Sequence, residues 1–291
     1  MKRAGVKRSD GPWPAHKSIP VLITALLFFW LAAAGCQTVD RRPAGFVGAA
    51  ERTRGEASDS SVRNSRPRQE LDNFSDAFDR FRNDLWEKVG TAWTKEQEAG
   101  FKFADMKIEN NRLLIQTRTD GFCKGGLAST YYLDGDFDVQ IDCFFEPLPY
   151  VNPMDQYVGF VVVGGDEAAK ELNMANLGLV KNAGQANARL LLNVIRGKEP
   201  STPRLFSVGK LDGTLRLVRT GERINGLYRA RRETAWKELG GLAFLKTKVK
   251  VGLVVTNYAI NQVWVGSGRS FSAAFSNFRI NAAQKIIESE I

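Results

Sequence analysis

The sequence predicts an all-β protein built on an antiparallel β-sandwich. The clearest evidence is segment 136–145, in which polar and apolar residues alternate strictly from Asp136 to Cys143. Such alternation is typical of an antiparallel strand with one face in water. Several short apolar segments separated by turn residues follow, without long helical patterns between them. Many short strands in succession indicate a sandwich or barrel rather than an α/β sheet.

An apolar segment near the N-terminus predicts export. Segment 21–35 has 15 uncharged residues and follows a basic leader, whereas a membrane-spanning helix needs about 20 residues. Such a leader and short apolar run are typical of a cleavable secretory signal; the alternative is an uncleaved transmembrane anchor.

The ending Ala-Ala-Gly-Cys resembles the lipobox of bacterial lipoproteins, although Ala33 stands where Leu is more usual. The resemblance implies that segment 1–35 is a lipoprotein signal peptide and that Cys36 carries acyl chains. The protein would then be anchored to a membrane of the bacterial cell envelope. Gln37, rather than Asp, after the cysteine fits the outer membrane.

Removal of segment 1–35 would also remove the only histidine, His16. A mature chain without histidine excludes Ser-His-Asp and Cys-His nucleophilic sites and every zinc or haem site that uses histidine. We therefore expect no transition metal and no organic cofactor. A calcium site is not excluded by the lack of histidine, because oxygen ligands suffice for calcium. Its candidate ligands are Asp134, Asp136 and Asp155.

The positive charge of the chain does not indicate nucleic-acid binding. The formal net charge is +9, but segment 1–35 contributes five basic residues against the single acidic Asp10. The remainder is close to an ordinary protein surface, and nucleic acid is not an expected partner in an export compartment.

Segment 36–70 is polar and rich in Arg, Ser and Gly. It has too few large apolar residues to bury, so we expect a flexible tether that begins with the lipidated cysteine. The β-sandwich domain is assigned to 71–282 and a C-terminal tail to 283–291. Apolar residues early in the domain recur with helical spacing, at Phe74, Phe78, Phe81 and Leu85. The alternative for this segment is a strand followed by a loop that leads to Trp86.

Nine segments have the composition of strands: 112–117, 126–133, 136–145, 157–163, 189–196, 214–219, 223–228, 248–256 and 275–280. Turns are predicted at Asn110-Asn111, Gly164-Gly165, Asp212-Gly213 and Thr220-Gly221, and Asp134-Gly135 has the composition of a two-residue hairpin turn. Segment 166–173 has the composition most typical of a helix among the internal segments.

Two cysteines follow Cys36, namely Cys123 and Cys143. An even pair in an exported protein suggests a disulfide, and the alternative is two separately buried thiols. If Asp134-Gly135 forms a hairpin turn, Cys143 faces roughly Gly126. Cys143 would then be three residues out of register with Cys123, which does not suit the Cα separation of about 4.4–6.8 Å that a disulfide requires.

The C-terminal half carries a recognisable order of features. The order begins with a strand, a tight turn at Thr220-Gly221 and a second strand that ends at Tyr228. Trp236 comes next, and the apolar strand 249–255 and segment 275–280 follow it. This order resembles the concanavalin A-like lectin/glucanase sandwich, in particular bacterial domains whose last strands read R-x-G-x-x-I-x-x-Y, W, V-x-V-G-L and F-x-x-F-x-I. The resemblance covers roughly 74–281 and implies the fold. Because its motif residues suit core packing, it says little about function.

The strand 136–145 carries the one notable row of carboxylates. We expect its apolar side chains to face the core, at Phe137, Val139, Ile141 and Cys143, and its polar ones to face outward, at Asp136, Asp138, Gln140 and Asp142. Alternate residues of a strand lie about 6.6 Å apart, and glycoside hydrolysis uses two carboxyl groups about 5–9.5 Å apart. Asp138 and Asp142 are therefore candidate catalytic residues.

Glucanases of the resembling class carry the pattern Glu-x-Asp-x-(x)-Glu on one strand. This strand has no Glu, and Gln140 occupies the middle position. The alternative is a solvated acidic face that deters edge pairing.

Three functional hypotheses follow. The leading one is a lipid-anchored envelope protein whose sandwich binds a saccharide or another envelope component. The second is a carbohydrate-active hydrolase that uses Asp138 and Asp142. The third is a structural or assembly lipoprotein that docks an envelope protein. Two groups of basic residues could meet an anionic glycan or anionic lipid headgroups, unless they are only solvated surface: Arg216 with Arg219, and Arg229 with Arg231 and Arg232.

Overall fold

The computed structural model describes residues 67–88, 101–119, 122–149, 155–164, 172–182, 184–197, 199–258 and 269–288. The predicted signal peptide, Cys36 and nearly all of the predicted tether lie outside the described residues. Within them, the one helix has five residues, and no helix is long and apolar enough to cross a membrane.

The described residues form one short helix and sixteen strands. They are, in chain order, α1 (Arg68–Asp72), β1 (Trp86–Lys88), β2 (Phe101–Phe103), β3 (Asp105–Ile108), β4 (Leu113–Gln116), β5 (Phe122–Ser129), β6 (Tyr131–Phe145), β7 (Asp155–Gly164), β8 (Asn173–Lys181), β9 (Arg189–Arg196), β10 (Glu199–Pro200), β11 (Arg204–Ser207), β12 (Leu211–Thr220), β13 (Arg223–Ala230), β14 (Lys237–Ala243), β15 (Val249–Tyr258) and β16 (Ser272–Glu288).

The strands build two layers, and all pairs but one are antiparallel. The first sheet has the order β10-β9-β8-β7-β15-β5-β1, with β11 also pairing β9 and β2 pairing β5 in parallel. The second sheet has the order β3-β4-β16-β6-β12-β13-β14. A single residue pair, Val249 with Leu133, links β15 to β6 and so joins the two sheets. The predicted antiparallel β-sandwich is confirmed.

The core lies between the two sheets. The predicted inward residues of β6 are at most 3% exposed and belong to one hydrophobic cluster with the inner faces of β7, β8, β9 and β15. Phe160 of β7 and Phe278 of β16 meet across the layers, with ring centroids 6.3 Å apart. The alternation in 136–145 therefore predicts the core-facing side of β6 correctly.

Ile141 tests this packing. It is fully buried, so Ile141→Ala should lower the free energy of unfolding by about 2–5 kcal/mol through lost apolar burial and a residual cavity. Urea denaturation measures this change. Glu146→Ala, at an exposed position just after β6, is the control and should stay within about 0.5 kcal/mol of the native protein. A loss below about 1 kcal/mol for Ile141→Ala would contradict this packing.

The segment from Phe74 to Leu85 is not an amphipathic helix. A loop follows α1, an isolated bridge joins Asp76 to Phe278, and β1 begins at Trp86. The alternative of a strand followed by a loop is confirmed only for the loop, because the single bridge at Asp76 stands where the strand was expected. The aromatic residues recur because they close one end of the core: the Trp86 ring lies 6.0 Å from Phe78 and 5.1 Å from Phe278.

The predicted domain limits were too narrow at both ends. Leu71, in helix α1 that begins at Arg68, is fully buried, so the domain starts before residue 71. Strand β16 continues to Glu288, with Ala283 and Ile286 buried. Most of the segment assigned to a C-terminal tail is thus part of the second sheet.

The Asp134-Gly135 pair does not form a hairpin turn. It lies inside β6, where two residues of β6 oppose the single residue Gln284 of β16. Gly135 has φ 75°, and the backbone N–H of Asp136 donates to Gln284 Oε1 at 3.1 Å. This is the geometry of a β-bulge with glycine in the left-handed region. The sequence correctly indicates a positive φ here but not the structure that uses it.

The other turn predictions had mixed outcomes. Asn110-Asn111 and Thr220-Gly221 are confirmed as turns, with φ 52° and 56° at the asparagines and 59° at Gly221. Asp212-Gly213 lies inside β12 instead. A Cβ at Gly213 would lie 2.1 Å from the carbonyl oxygen of Arg229, so close strand approach requires this glycine.

Strand β8 was missed. It occupies the middle of the first sheet between β7 and β9, but its sequence NMANLGLVK carries Asn and Gly among its apolar residues. The predicted helix 166–173 lies mostly outside the described residues, and Asn173 belongs to β8 rather than to a helix. The short strands β1, β2, β3, β10, β11 and β14 were missed as well.

Candidate functional site

Asp138, predicted to face solvent, is fully buried. The Arg216 guanidinium binds both of its carboxylate oxygens, with Nε 2.8 Å from Oδ1 and Nη2 in close contact with Oδ2. Asn281 Nδ2 also donates to Oδ1 at 3.0 Å. Small apolar side chains cover the outer face of the second sheet here, at Val218, Leu227 and Ala282. The predicted solvated acidic face is therefore wrong at Asp138.

The other carboxylates of this row are also held by neighbours. Asp142 accepts from Thr214 Oγ1 at 2.6 Å and from Asn277 Nδ2 at 2.8 Å. Asp136 Oδ1 accepts the backbone N–H of Gly221 at 2.7 Å. The structure leaves neither oxygen of Asp138 free to exchange a proton with a substrate. The arrangement supports packing of β6 rather than acid–base catalysis by Asp138 and Asp142.

The candidate calcium ligands are not brought together. Asp134 follows Leu133, which pairs with Val249 at the start of β15. Asp155 pairs with Tyr258 at the opposite end of the same strand. These ends are about 30 Å apart at 3.3 Å per residue. In the part of the chain that the structure describes, no three His, Cys, Asp or Glu residues are grouped as metal ligands.

The two cysteines lie on strands of different sheets. Cys123 of β5 pairs with Asn257 of β15, whereas Cys143 of β6 pairs with Gly213 and Phe275 in the second sheet. The Cys143 thiol is free and buried, and burial raises its pKa. The structure does not bring the two cysteines together for a disulfide.

A different group of polar side chains lies on the outer face of the first sheet. We call it the Tyr157 face and define it by Tyr157 and Gly159 of β7, Asn176 and Gly178 of β8, and Asn193 of β9. Gly159 lies directly opposite Gly178, and Asn176 directly opposite Asn193. Directly opposite residues share a face and diagonal ones lie about 7–8 Å apart, so these side chains form one patch.

Three polar atoms of the Tyr157 face are buried without a hydrogen-bond partner: the Tyr157 hydroxyl, Asn176 Nδ2 and Asn193 Oδ1. A buried polar atom left unpaired costs about 1–3 kcal/mol, so such atoms rarely accumulate without a role. Burial also raises the pKa of Tyr157 above its ordinary value. The phenol is therefore protonated at neutral pH and can donate as well as accept.

The glycines shape the floor of this face. A Cβ at Gly159 would lie 2.0 Å from the Tyr157 hydroxyl, so the phenol lies over this glycine. A Cβ at Gly178 would lie 2.2 Å from the carbonyl oxygen of Val158. Apolar side chains surround the patch, with Val161, Val180, Leu191 and Val254 in one small cluster with Tyr157.

Sequence patterns do not single out these residues, although a weak signal exists. Asn176 and Asn193 each stand alone inside an apolar strand, in NMANLGLV and RLLLNVIR. A lone amide that is buried in such a strand needs a partner.

Trp236, which the sequence predicts to pack in the core, lies elsewhere. It is half-buried on the outer face of the second sheet, with its ring 4.5 Å from Arg229 Cζ and 5.4 Å from Arg216 Cζ.

No protein-family model and no curated protein matches this chain. Solved structures do match. A β-glucanase of Bacillus licheniformis superposes with a TM-score of 0.53 at 12% identity, over 71% of this chain and 96% of its own. The chain has the jelly-roll fold of the β-glucanases.

Two further structures share this β-glucanase fold. A pseudo β-1,3-glucanase of Mycobacterium tuberculosis gives a TM-score of 0.52 at 11% identity, over 75% of this chain and 98% of its own. A κ-carrageenase of Pseudoalteromonas carrageenovora, in complex with an oligotetrasaccharide of κ-carrageenan, gives 0.51 at 10% identity, over 79% and 98%. Identities this low establish the fold alone, and the fold hosts more than one activity.

Proposed function

We propose that this chain is a lipid-anchored protein of the bacterial cell envelope whose sandwich binds a saccharide at the Tyr157 face without hydrolysing it. The observation that carries the proposal is the trio of buried, unpartnered polar atoms on Tyr157, Asn176 and Asn193. Solved structures with the same fold include one with a bound oligosaccharide, which supports a saccharide as the ligand.

The chemistry of the Tyr157 face suits sugar hydroxyl groups. An amide nitrogen donates, an amide oxygen accepts and a phenol does both, which matches hydroxyls that also donate and accept. The three groups are uncharged, and buried valine side chains lie beside them. A few polar groups among apolar side chains are typical of small-molecule sites.

The same face does not support glycoside hydrolysis. Its described carboxylates are Asp155 near Tyr157 and Glu87 on β1, and Glu87 is ion-paired with Lys250 at 2.7 Å. Their positions can be compared along β15. Asp155 pairs directly with Tyr258 of β15, and Glu87 reaches Gly252 of β15 through Ala128 of β5. Six residues of β15 separate these positions, about 20 Å, well beyond the 5–9.5 Å that two catalytic carboxyl groups require.

A glycan screen tests this function. The full-length protein, purified in a non-ionic detergent, is applied to an array of neutral envelope and plant oligosaccharides and then incubated with each ligand. We expect binding of at least one oligosaccharide and no new reducing ends after prolonged incubation. Absence of binding across the array would contradict the proposed binding function, and release of reducing ends would favour the hydrolase hypothesis.

The membrane anchor is a separate part of the proposal and rests on the sequence around Cys36. We expect mass spectrometry of the native protein to show that residues 1–35 are absent and that Cys36 is acylated. Cys36→Ser should leave the precursor unprocessed or release the protein from membranes, because burial of each acyl methylene contributes about 0.8 kcal/mol. Gln37→Ala is the control and should remain anchored; an intact Met1 on the native protein would refute acylation.

A further inference from the structure

A cleft lies on the outer face of the second sheet, on the opposite side of the sandwich from the Tyr157 face. It has a volume of about 230 Å³. Its floor is a row of directly opposite residues on four adjacent strands: Ser276 of β16, Asp142 of β6, Thr214 of β12 and Arg229 of β13. Arg112, just before β4, and Arg231 also line it.

The acidic groups of this cleft already have partners. Both Asp142 oxygens accept hydrogen bonds, from Thr214 and Asn277. Glu233 also lines the cleft, and its Oε1 is paired with Lys237 at 3.1 Å. Glu233 is therefore balanced by a cation, whereas Asp142 is bound by uncharged groups only and keeps its negative charge in the cleft.

Two guanidinium groups of the cleft are not neutralised in this way. Among the described residues, Arg112 and Arg229 form no ion pair with a carboxylate. Arg231 differs, because its Nε lies 3.2 Å from Asp212 Oδ1. The two arginines outweigh the single charge of Asp142, so the cleft keeps a net positive charge that attracts an anion.

Trp236 holds one of these arginines in place. Its ring lies 4.5 Å from Arg229 Cζ, within the range of a cation–π contact. Stacking fixes the planar guanidinium while its N–H groups stay available for a carboxylate or sulfate, which the guanidinium binds with two parallel hydrogen bonds. The Ser276 hydroxyl at the same cleft can add a further hydrogen bond.

We propose that this cleft binds the carboxylate or sulfate group of an acidic saccharide. Its volume is below the roughly 300–1,000 Å³ of pockets for whole small molecules, which fits one charged group and part of a sugar ring. Asp142 and Glu233 beside the arginines disfavour a broad anionic surface such as a bilayer but leave room for a single anionic group. The cleft is separate from the Tyr157 face, so this inference stands independently of the proposed function.

Calorimetry with the full-length protein in non-ionic detergent tests this site. The probes are polygalacturonate, which carries carboxylates, a sulfated galactan and a neutral glucan, each at low and high salt. We expect the protein to bind at least one acidic polymer with an affinity that falls as salt rises. Arg112→Gln/Arg229→Gln should weaken that binding at least tenfold. Arg112→Gln alone, at an exposed position, should weaken it at least threefold without changing the melting temperature.

The matched control is Arg196→Gln/Arg232→Gln, which removes the same charge at exposed positions outside the cleft lining. It should reduce binding less than twofold. Equal losses in both double variants, or no binding of either acidic polymer, would overturn the proposal. Arginine-dependent binding to vesicles with anionic lipid, without binding to acidic polymers, would overturn it as well. Binding of neutral oligosaccharides should be unchanged in Arg112→Gln/Arg229→Gln, so failure here is distinguishable from failure of the Tyr157 site.

Discussion

Asp138→Ala is expected to lower the free energy of unfolding by about 3–5 kcal/mol, a large change for a single substitution on the polar side of a strand. The substitution leaves the Arg216 guanidinium, with a side chain only 13% exposed, without its carboxylate partner. Removing one member of a buried ion pair leaves an uncompensated charge in a poorly solvated place. Asn281 Nδ2 would also lose Asp138 Oδ1 as an acceptor and keep Gln140 Oε1. Urea denaturation of the purified protein measures the change.

Two further variants show whether the ion pair is responsible. Asp134→Ala changes a half-buried carboxylate on the same strand and should stay within about 0.5 kcal/mol of the native protein. Asp138→Leu/Arg216→Met removes both charges and should recover most of the stability, because apolar replacement of a buried pair is often neutral. Similar, small effects of Asp138→Ala and Asp134→Ala would show that Asp138 is no more than a surface carboxylate.

Tyr157→Phe is expected to weaken saccharide binding at least tenfold while leaving the fold as stable as before, or more stable by about 1–3 kcal/mol. The hydroxyl is buried without a partner, so its removal relieves an unpaired polar group. If a sugar hydroxyl pairs with it in the complex, the same removal costs about 1.4 kcal/mol or more of binding free energy. Opposite signs for stability and affinity distinguish a binding residue from a packing residue. Calorimetry and thermal melting measure the two quantities.

Tyr132→Phe provides the matched control. Tyr132 lies in β6 with its ring about 5 Å from the ammonium groups of Lys248 and Lys250, away from Asn176 and Asn193. The variant should bind the saccharide as the native protein does. Unchanged affinity in Tyr157→Phe would remove the hydroxyl from the site, and parallel losses of stability and affinity would indicate a structural role alone.

The fold could be predicted largely because strand alternation reflects burial. In β6 the period of two places Ile141 and its apolar neighbours in the core, and the structure agrees. Alternation shows which face a side chain takes but not what covers that face. Asp138 was therefore placed in solvent, whereas Arg216 and the small apolar residues of neighbouring strands bury it.

Strand β8 shows where the pattern loses its information. Strand β8 is buried on both faces, so its two faces do not differ in polarity. Asn176 and Gly178 further weaken its resemblance to a strand. The unpartnered atoms of the Tyr157 face become visible only when β7, β8 and β9 are in register, because Asn176 and Asn193 are 17 positions apart in the sequence but directly opposite in the sheet.

The bulge at Gly135 shows a similar limit. A sequence of Asp-Gly between two apolar segments indicates a left-handed backbone conformation, and Gly135 has φ 75°. Whether that conformation reverses the chain or kinks a continuous strand depends on the neighbouring strand, here β16. The sequence determines the local geometry, whereas the tertiary partner determines its use.

The most direct test of the central claim is a crystal structure of the protein with the oligosaccharide identified by the glycan screen. We expect an intact sugar on the outer face of the first sheet, with its hydroxyl groups hydrogen-bonded to the Tyr157 hydroxyl, Asn176 Nδ2 and Asn193 Oδ1. An oligosaccharide bound elsewhere with these three atoms still unpaired would contradict the account, as would a cleaved product beside Asp138 and Asp142.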